Sequence, residues 1–274
     1  MEIQAVKLGR PALLEFRGPD AVRFLNGQVT QDVRRLAGGK ISLPSCVTDA
    51  KGKLQFRVTI TENDDGALWI AGLVEWAESL EARLTRYLIA DEVETVDLTG
   101  SRELIHFLGA APVAPEATLV RAANRFGVAG IDWWIAASQE ISSEVLWLEA
   151  EALEALRIAN GVPVWGKELV EGMLPPEALL EETDISYNKG CYIGQEVISR
   201  IKSAGKVNKR LTRFVADAGM LWIPGPLENG AGEITSVSPV VDGAVRHALG
   251  YVRRGATELF SRARDGTLFA VRPV

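Results

Sequence analysis

From about residue 205 to its end the chain stops alternating strand-like and helix-like runs and becomes a series of short β-runs broken by Gly and Pro. This change of texture most limits what the chain can fold into. Segments 211–216, 232–237, 248–252 and 268–271 read as strands of a small barrel or sandwich. Ahead of them, strands and helices alternate, which predicts an α+β sheet packed on one side by helices. A chain of 274 residues has room for one large or two to three small domains. The texture predicts a core over 1–204 and a C-terminal β-domain over 205–274.

In chain order, 12–17 reads as a strand, and Gly18-Pro19-Asp20 breaks it and supplies Asp20 as a helix N-cap. Val22, Leu25, Val29, Val33 and Leu36 then share one face of an expected helix that Gly38-Gly39 ends. A turn at 49–52 joins two strand-like runs, the second with Phe56, Val58 and Ile60 alternating, so a hairpin is expected. A strand at 67–71 precedes a helix from about 73 to 90 that turns Trp76, Leu80, Leu84 and Leu88 inward. Residues 93–98 and 125–137 read as strands, and Trp133-Trp134 reads as core or interface more than as a ligand platform. A helix starting at Glu151 carries Leu153, Leu156 and Ile158 and stops at Asn160-Gly161. No repeat of period 20 to 50 is visible.

Composition narrows the function classes. The chain is 47% hydrophobic and 24% charged, with no run of 18 apolar residues and a start that lacks a signal-peptide pattern. A cytoplasmic protein with no membrane partner is expected. Cys46 and Cys191 stand too far apart in sequence for a secreted disulfide framework or for zinc-ligand spacing, and His106 and His247 are isolated, so no metal site is predicted. A net charge of -6 argues against non-specific nucleic-acid binding. Arg200, Lys202, Lys206, Lys209, Arg210 and Arg213 nevertheless crowd into fourteen residues. That run reads either as a solvated face or as a site for an anion, and without interleaved aromatic residues direct nucleic-acid binding is not expected.

The chemistry concentrates in Lys189-Gly190-Cys191-Tyr192-Ile193-Gly194-Gln195-Glu196. Val197, Ile198 and Ile201 follow at near-helical spacing, which predicts Cys191 at or just before a helix N-terminus. The helix dipole, Lys189 and Arg200 would all favour the thiolate there. The plainer reading makes Cys191 a small apolar residue packed in a turn. Residue for residue, the octapeptide resembles the K-G-C-[FY]-x-G-Q-E signature of the YgfZ-type folate-binding proteins, a family similar in fold to the glycine cleavage T-protein, an aminomethyltransferase. The stretch 24–33 resembles that family's F-L-Q-G-Q-V-T-x-D-V, 156–163 its L-R-I-E-A-G-I-P, and 174–177 its L-P-x-E.

The resemblance implies a T-protein-like core of two α+β subdomains with a small C-terminal β-barrel. It implies a folate-binding accessory protein, carrying tetrahydrofolate or a derivative, that serves the assembly or repair of iron-sulfur clusters in clients such as tRNA-modifying enzymes. A cluster would be held only transiently. Cys191 would be the reactive group, with Lys189 and Arg200 stabilising it. Gly190 and Gly194 would permit the close turn, and Gln195 and Glu196 would orient or cap it. Phe56, Trp69, Asn160, Glu177 and Tyr192 would contact the folate. Three positions depart from the pattern: Gln55 and Phe56 stand where the aminomethyltransferases carry paired aspartates, and Ala159 where the family's L-R-I-E-A-G-I-P carries a glutamate. Neither an amide nor a phenyl ring exchanges a proton near neutral pH, which weighs against an alternative reading as an aminomethyl or methyl transferase. A third reading is an interaction module that has lost its ligand. Self-association, and whether Cys46 and Cys191 approach, are open at this level.

Overall fold

The computed structural model describes residues 2–139, 141 and 145–274. Its contacts divide the chain into two units, one formed by 1–148 with 181–197, the other by 149–180 with 198–274.

The first unit is a stack of two antiparallel-rich sheets. Its strands are β1 (Gln4–Gly9), β2 (Ala12–Arg17), β3 (Ser42–Thr48), β4 (Leu54–Glu62), β5 (Leu68–Gly72), β6 (Glu94–Asp97), β7 (Arg102–Leu108), β8 (Leu119–Asn124), β9 (Ala129–Ala136) and β10 (Leu146–Trp147). One sheet runs β3-β4-β5-β2-β6, the other β10-β1-β7-β9-β8. Leu13, Trp69, Ala71, Leu104, Leu119 and Trp134 fill the space between them. Helices α1 (Ala21–Gln28) and α2 (Ala77–Thr85) cover the outer face of the first sheet through Phe24, Leu25, Leu80 and Leu84. Trp133 and Trp134 point to opposite faces of β9 and enter different cores, as alternation along a strand requires.

The β3–β4 hairpin forms as expected. Its turn is held by Asp49, whose Oδ1 accepts from the backbone N–H of Lys51 and of Lys53, both at 2.8 Å. Two helices are shorter than the apolar spacing suggests. The expected 73–90 helix is a 3₁₀ turn at Val74–Trp76 followed by α2, which ends at Thr85. The expected 22–36 helix ends at Gln28, resumes only as a 3₁₀ turn at Val33–Leu36, and leaves Val22 exposed. Tertiary bonds explain the break. In an unbroken helix the carbonyls of Asn26 and Val29 would accept from residues four further on. Instead the Thr30 N–H goes to the Cys46 carbonyl and the Val33 N–H to Asn26 Oδ1.

The second unit holds α3 (Ala150–Ala159), α4 (Gln195–Ala204, from Ile198 on) and the strands β11 (Lys209–Asp217), β12 (Gly225–Pro226), β13 (Gly232–Asp242), β14 (Val245–Arg253), β15 (Phe260–Arg262), β16 (Leu268–Ala270) and β17 (Arg272–Pro273). The sheet order is β12-β13-β14-β11-β17, with β15 and β16 paired as a separate hairpin. Phe214, Trp222, Leu227, Ile234, Leu259 and Val271 form its core. Asn160 and Gly161 end α3 as the sequence suggests: Gly161 takes φ +73°, its N–H reaching the Ile158 carbonyl and that of Val162 the Arg157 carbonyl. Among the described residues no helix is long and apolar enough to cross a membrane.

Candidate functional site

Three segments distant in sequence are bonded together in the first unit: the stretch after α1, the β3–β4 hairpin, and the cysteine loop ahead of α4. Lys189 is the principal tie. Its buried ammonium donates to the carbonyls of Asn26 at 2.6 Å, Val29 at 2.8 Å and Gln31 at 2.7 Å, which uses all three of its hydrogens. Burial pulls its pKa down to about 7, with Asp32 acting in the opposite sense. Lys189 therefore clamps the loop to the interrupted helix, and its N–H groups are committed to backbone oxygens rather than to the Cys191 sulfur.

The rest of the loop is fixed as tightly. The Ile193 N–H donates to the Gly27 carbonyl at 3.2 Å, and Thr48 Oγ1 donates to the Ile193 carbonyl at 2.6 Å. Gly194 sits at φ +87° against the hairpin, where a Cβ would come within 2.5 Å of the Asp49 carbonyl oxygen and 2.8 Å of Gly52 Cα. Only glycine fits there, on backbone conformation and on space alike. Gly190 is exposed, and a Cβ there would meet no heavy atom within 4 Å.

Ahead of the loop, Thr30 Oγ1 donates to the Asp184 carbonyl at 2.7 Å and accepts from the Cys46 N–H at 2.9 Å. The Ser186 N–H donates to the Thr30 carbonyl at 3.0 Å, and Gln31 Nε2 donates to the Thr183 carbonyl at 2.9 Å. The fully buried Asp184 carboxylate takes Arg57 Nε at 2.7 Å and Nη2 at 3.1 Å. Burial works against the Arg57 charge, but Asp184 outweighs it and raises the guanidinium pKa. Thr30, Gln31, Arg57, Thr48 and Asp184 were not among the sequence candidates. Thr30 and Gln31 lie inside a recognisable motif; Arg57 and Asp184 are 127 residues apart and carry no local signal.

The two thiols come out differently. Cys191 is exposed, whereas Cys46 is buried in β3. Burial, with Asp184 adding to it, pushes the Cys46 thiol well above its usual pKa, so it stays protonated and shut away. The helix starts at Gln195, within the signature and four residues past Cys191, with the Gln195 N–H donating to the Tyr192 carbonyl and Glu196 exposed in the first turn. Arg200 is an exposed residue of α4.

The proposed folate contacts fall in both units. Phe56 is half-buried and meets Trp76 edge-on, ring centres 5.3 Å apart. Trp69 is a core residue, its indole N–H donated to Glu15 Oε2 at 2.8 Å and its ring set edge-on to Trp134, so it serves the packing between the sheets. Tyr192 is buried, with the Lys189 ammonium 5.2 Å from its ring centre, and its hydroxyl has no hydrogen-bond partner among the described residues. Burial raises the pKa of that hydroxyl, so it stays protonated. In the second unit, Asn160 caps α3, and Glu177 lies buried in the 3₁₀ turn Pro175–Ala178, accepting from the Leu174 N–H at 3.4 Å. Gln55 accepts from Arg83 Nε at 2.7 Å, and Arg83 also donates to the Thr48 carbonyl at 2.7 Å.

This arrangement exposes the Cys191 thiol on a backbone-locked loop, and the next residue, Tyr192, buries a hydroxyl that has no partner among the described residues. Among curated proteins, the tRNA-modifying protein YgfZ of Aliivibrio fischeri (strain ES114) is 30% identical over 217 residues, which is 73% of this chain and 66% of the relative. The chain is a relative of the YgfZ proteins. The YgfZ protein of Cronobacter sakazakii is 29% identical over 243 residues, 80% of this chain and 72% of that protein. The chain thus spans just under two thirds of the first of these YgfZ proteins. No family model matches the sequence. Among solved structures, the glycine cleavage system aminomethyltransferase T of Bartonella henselae superposes with a TM-score of 0.79 at 18% identity, over 100% of this chain and 85% of that one. The α+β T-protein fold that the YgfZ resemblance implied is the fold of this chain.

Proposed function

We propose that this protein is a folate-binding accessory factor for the assembly or repair of iron-sulfur clusters, supporting clients such as tRNA-modifying enzymes, with Cys191 as its reactive group. The observation that carries the reading is that the stretch after α1 and the β3–β4 hairpin are both bonded to one fixed loop that exposes its thiol while the other thiol is shut in. The name shared by the curated relatives supports the tRNA-modification link. Folate is supported from this chain by the Tyr192 hydroxyl, a buried donor without a partner, which a ligand oxygen or ring nitrogen would satisfy. Phe56, Asn160 and Glu177 remain candidates for further contacts. The reading assigns the folate role to residues 1–204, leaves 205–274 as a C-terminal β-domain, and expects a cytoplasmic protein.

When bound, tetrahydrofolate supplies a one-carbon carrier. The chain's own residues orient it and present a thiol for a reactive one-carbon or sulfur species, or for iron shared transiently with a client. Gln55 and Phe56 supply neither an acid nor a base near neutral pH at the place where the resemblance to aminomethyltransferases implies carboxylates, which favours binding over transfer chemistry.

The test is a titration of tetrahydrofolate into the purified protein, read by heat and by the fluorescence of its seven tryptophans. Saturable binding that weakens in Tyr192→Phe is expected. In cells lacking the protein, Cys191→Ser should fail to restore cluster-enzyme activity; full restoration by that variant would overturn the role of the thiol. Steady product from a methylamine donor and tetrahydrofolate would replace the reading with a transferase, and absence of folate binding would leave an interaction module.

A further inference from the structure

One end of the second unit's sheet brings two cations together on neighbouring strands. Lys209 on β11 lies directly opposite Arg253 on β14, a like-charge cross-strand pair of the kind that costs stability unless something neutralises it. Among the described residues the one ion pair there is weak: Glu233 Oε1 stands 3.6 Å from Lys209 Nζ, with the two side chains 52% and 35% exposed. The Arg253 guanidinium has no hydrogen-bond or ion-pair partner among the described residues. These groups line a cleft of about 400 Å³, a size suited to a small ligand. Its other wall includes Gly225 and Pro226, and a Cβ at Gly225 would meet no heavy atom within 4 Å, so that side is open backbone.

The chemistry of the cleft narrows its ligand. Two cations on adjacent strands are neutralised together by a dianionic tetrahedral phosphate, whereas a carboxylate answers only one of them. Glu233 is acceptor-only when ionised, so it needs hydroxyl or amine donors and repels a second acid on the ligand. The Tyr251 ring is covered by the Lys209 ammonium at 4.2 Å, and its hydroxyl donates to the Glu168 carbonyl at 2.8 Å, so no aromatic face is left for a base to stack on. We propose that this cleft binds a phosphomonoester carried on a hydroxylated sugar, a sugar phosphate or 5′-nucleotide, with the phosphate between Lys209 and Arg253 and the sugar hydroxyls on Glu233. The site involves none of the residues around Cys191.

Calorimetric titration of the full chain with ribose 5-phosphate, AMP, inorganic phosphate and ribose tests this. Ribose 5-phosphate and AMP should bind with similar affinity, inorganic phosphate roughly tenfold more weakly, and ribose not at all. Arg253→Ala changes an exposed side chain, so the fold should survive; it should cost about tenfold or more for every phosphate. Glu233→Gln should shrink the advantage of ribose 5-phosphate over inorganic phosphate, because it weakens the sugar contact while removing a carboxylate that competes with either phosphate for Lys209. Cys191→Ser should bind like the wild type. A 5′-phosphorylated oligoribonucleotide that needs its end phosphate supports the site. Binding that ignores that phosphate makes the surface a polyanion patch and overturns the proposal, as does the absence of saturable phosphate binding or unchanged affinity in Arg253→Ala.

Discussion

Lys189 in the first unit and Arg157 in the second are both buried cations, and they are satisfied by different means. Lys189 gives its three hydrogens to three backbone carbonyls. Arg157, 2% exposed, spreads its guanidinium over Glu154 Oε2 at 2.7 Å, Glu168 Oε2 at 3.0 Å, the Val162 carbonyl at 3.2 Å and Ser236 Oγ at 2.8 Å. A carboxylate partner neutralises charge, so the Arg157 cluster is a side-chain network that holds α3 to β13. Carbonyl partners leave the charge formally unpaired but fix the path of the main chain, so Lys189 dictates where the cysteine loop runs. The first device supports packing, and the second positions a reactive group.

The largest effect expected is at Arg157. Arg157→Met would leave the fully buried Glu168 carboxylate without its cation, a loss of about 4 kcal/mol in urea unfolding. Adding Glu168→Gln should recover part of that loss, because the stranded charge goes with it. Lys189→Met should cost about 3 kcal/mol through its orphaned carbonyls, and no side-chain substitution should recover it, since its partners are backbone. Recovery by a second-site change would break the contrast.

The pH dependence sharpens it further. Burial places Lys189 at about 7 in the folded chain, below its unfolded value, so between these two pKa values the unfolded chain binds more protons. Stability from this group should therefore rise with pH above 7, by at most about 1.4 kcal/mol per pH unit. Wild type and Arg157→Met should share that slope, and Lys189→Met should lack it, because arginine does not titrate in the range. Equal slopes in wild type and Lys189→Met would mean that the three carbonyls hold the proton as firmly as water does.

The smallest effects concern the thiols. Cys191→Ser, on an exposed side chain, should change stability by less than about 0.5 kcal/mol. In the native protein a thiol reagent should label Cys191 promptly and Cys46 only on opening of β3. Prompt labelling of both would remove the distinction between them.

A buried network elsewhere shows how little local sequence says about such ties. His106, read from sequence as isolated, is wholly buried on β7 with Nδ1 2.8 Å from Asp132 Oδ1. Arg125 Nε and Nη2 hold the same carboxylate at 2.8 and 2.7 Å. Burial opposes the Asp132 charge, but Arg125 and His106 together lower its pKa. Arg125 was expected inside a strand; it lies ahead of β9, which begins at Ala129, and that turn is what lets its fork reach back to Asp132. Likewise the apolar spacing of Leu25, Val29 and Val33 describes burial correctly, since all three are in the core, but mistakes it for one continuous helix.

Sequence alone determined the α+β class, the hairpin at 49–52, the end of α3 at Asn160-Gly161 and the separate β-texture of the C-terminal strands. These rest on turn chemistry and short-period burial, which act over a few residues. It also singled out Cys191 and the motifs around it. Tertiary structure alone decided what those motifs do to one another. It ended α1 at Gln28, gave the Lys189 ammonium to carbonyls of the interrupted helix, set Gly194 against the hairpin, and separated a buried thiol from an exposed one. Each of these depends on a partner outside the local run, from Cys46 at the end of α1 to residues more than a hundred positions away at Lys189 and Gly194, or on burial from water, and neither leaves a period or spacing in the local sequence.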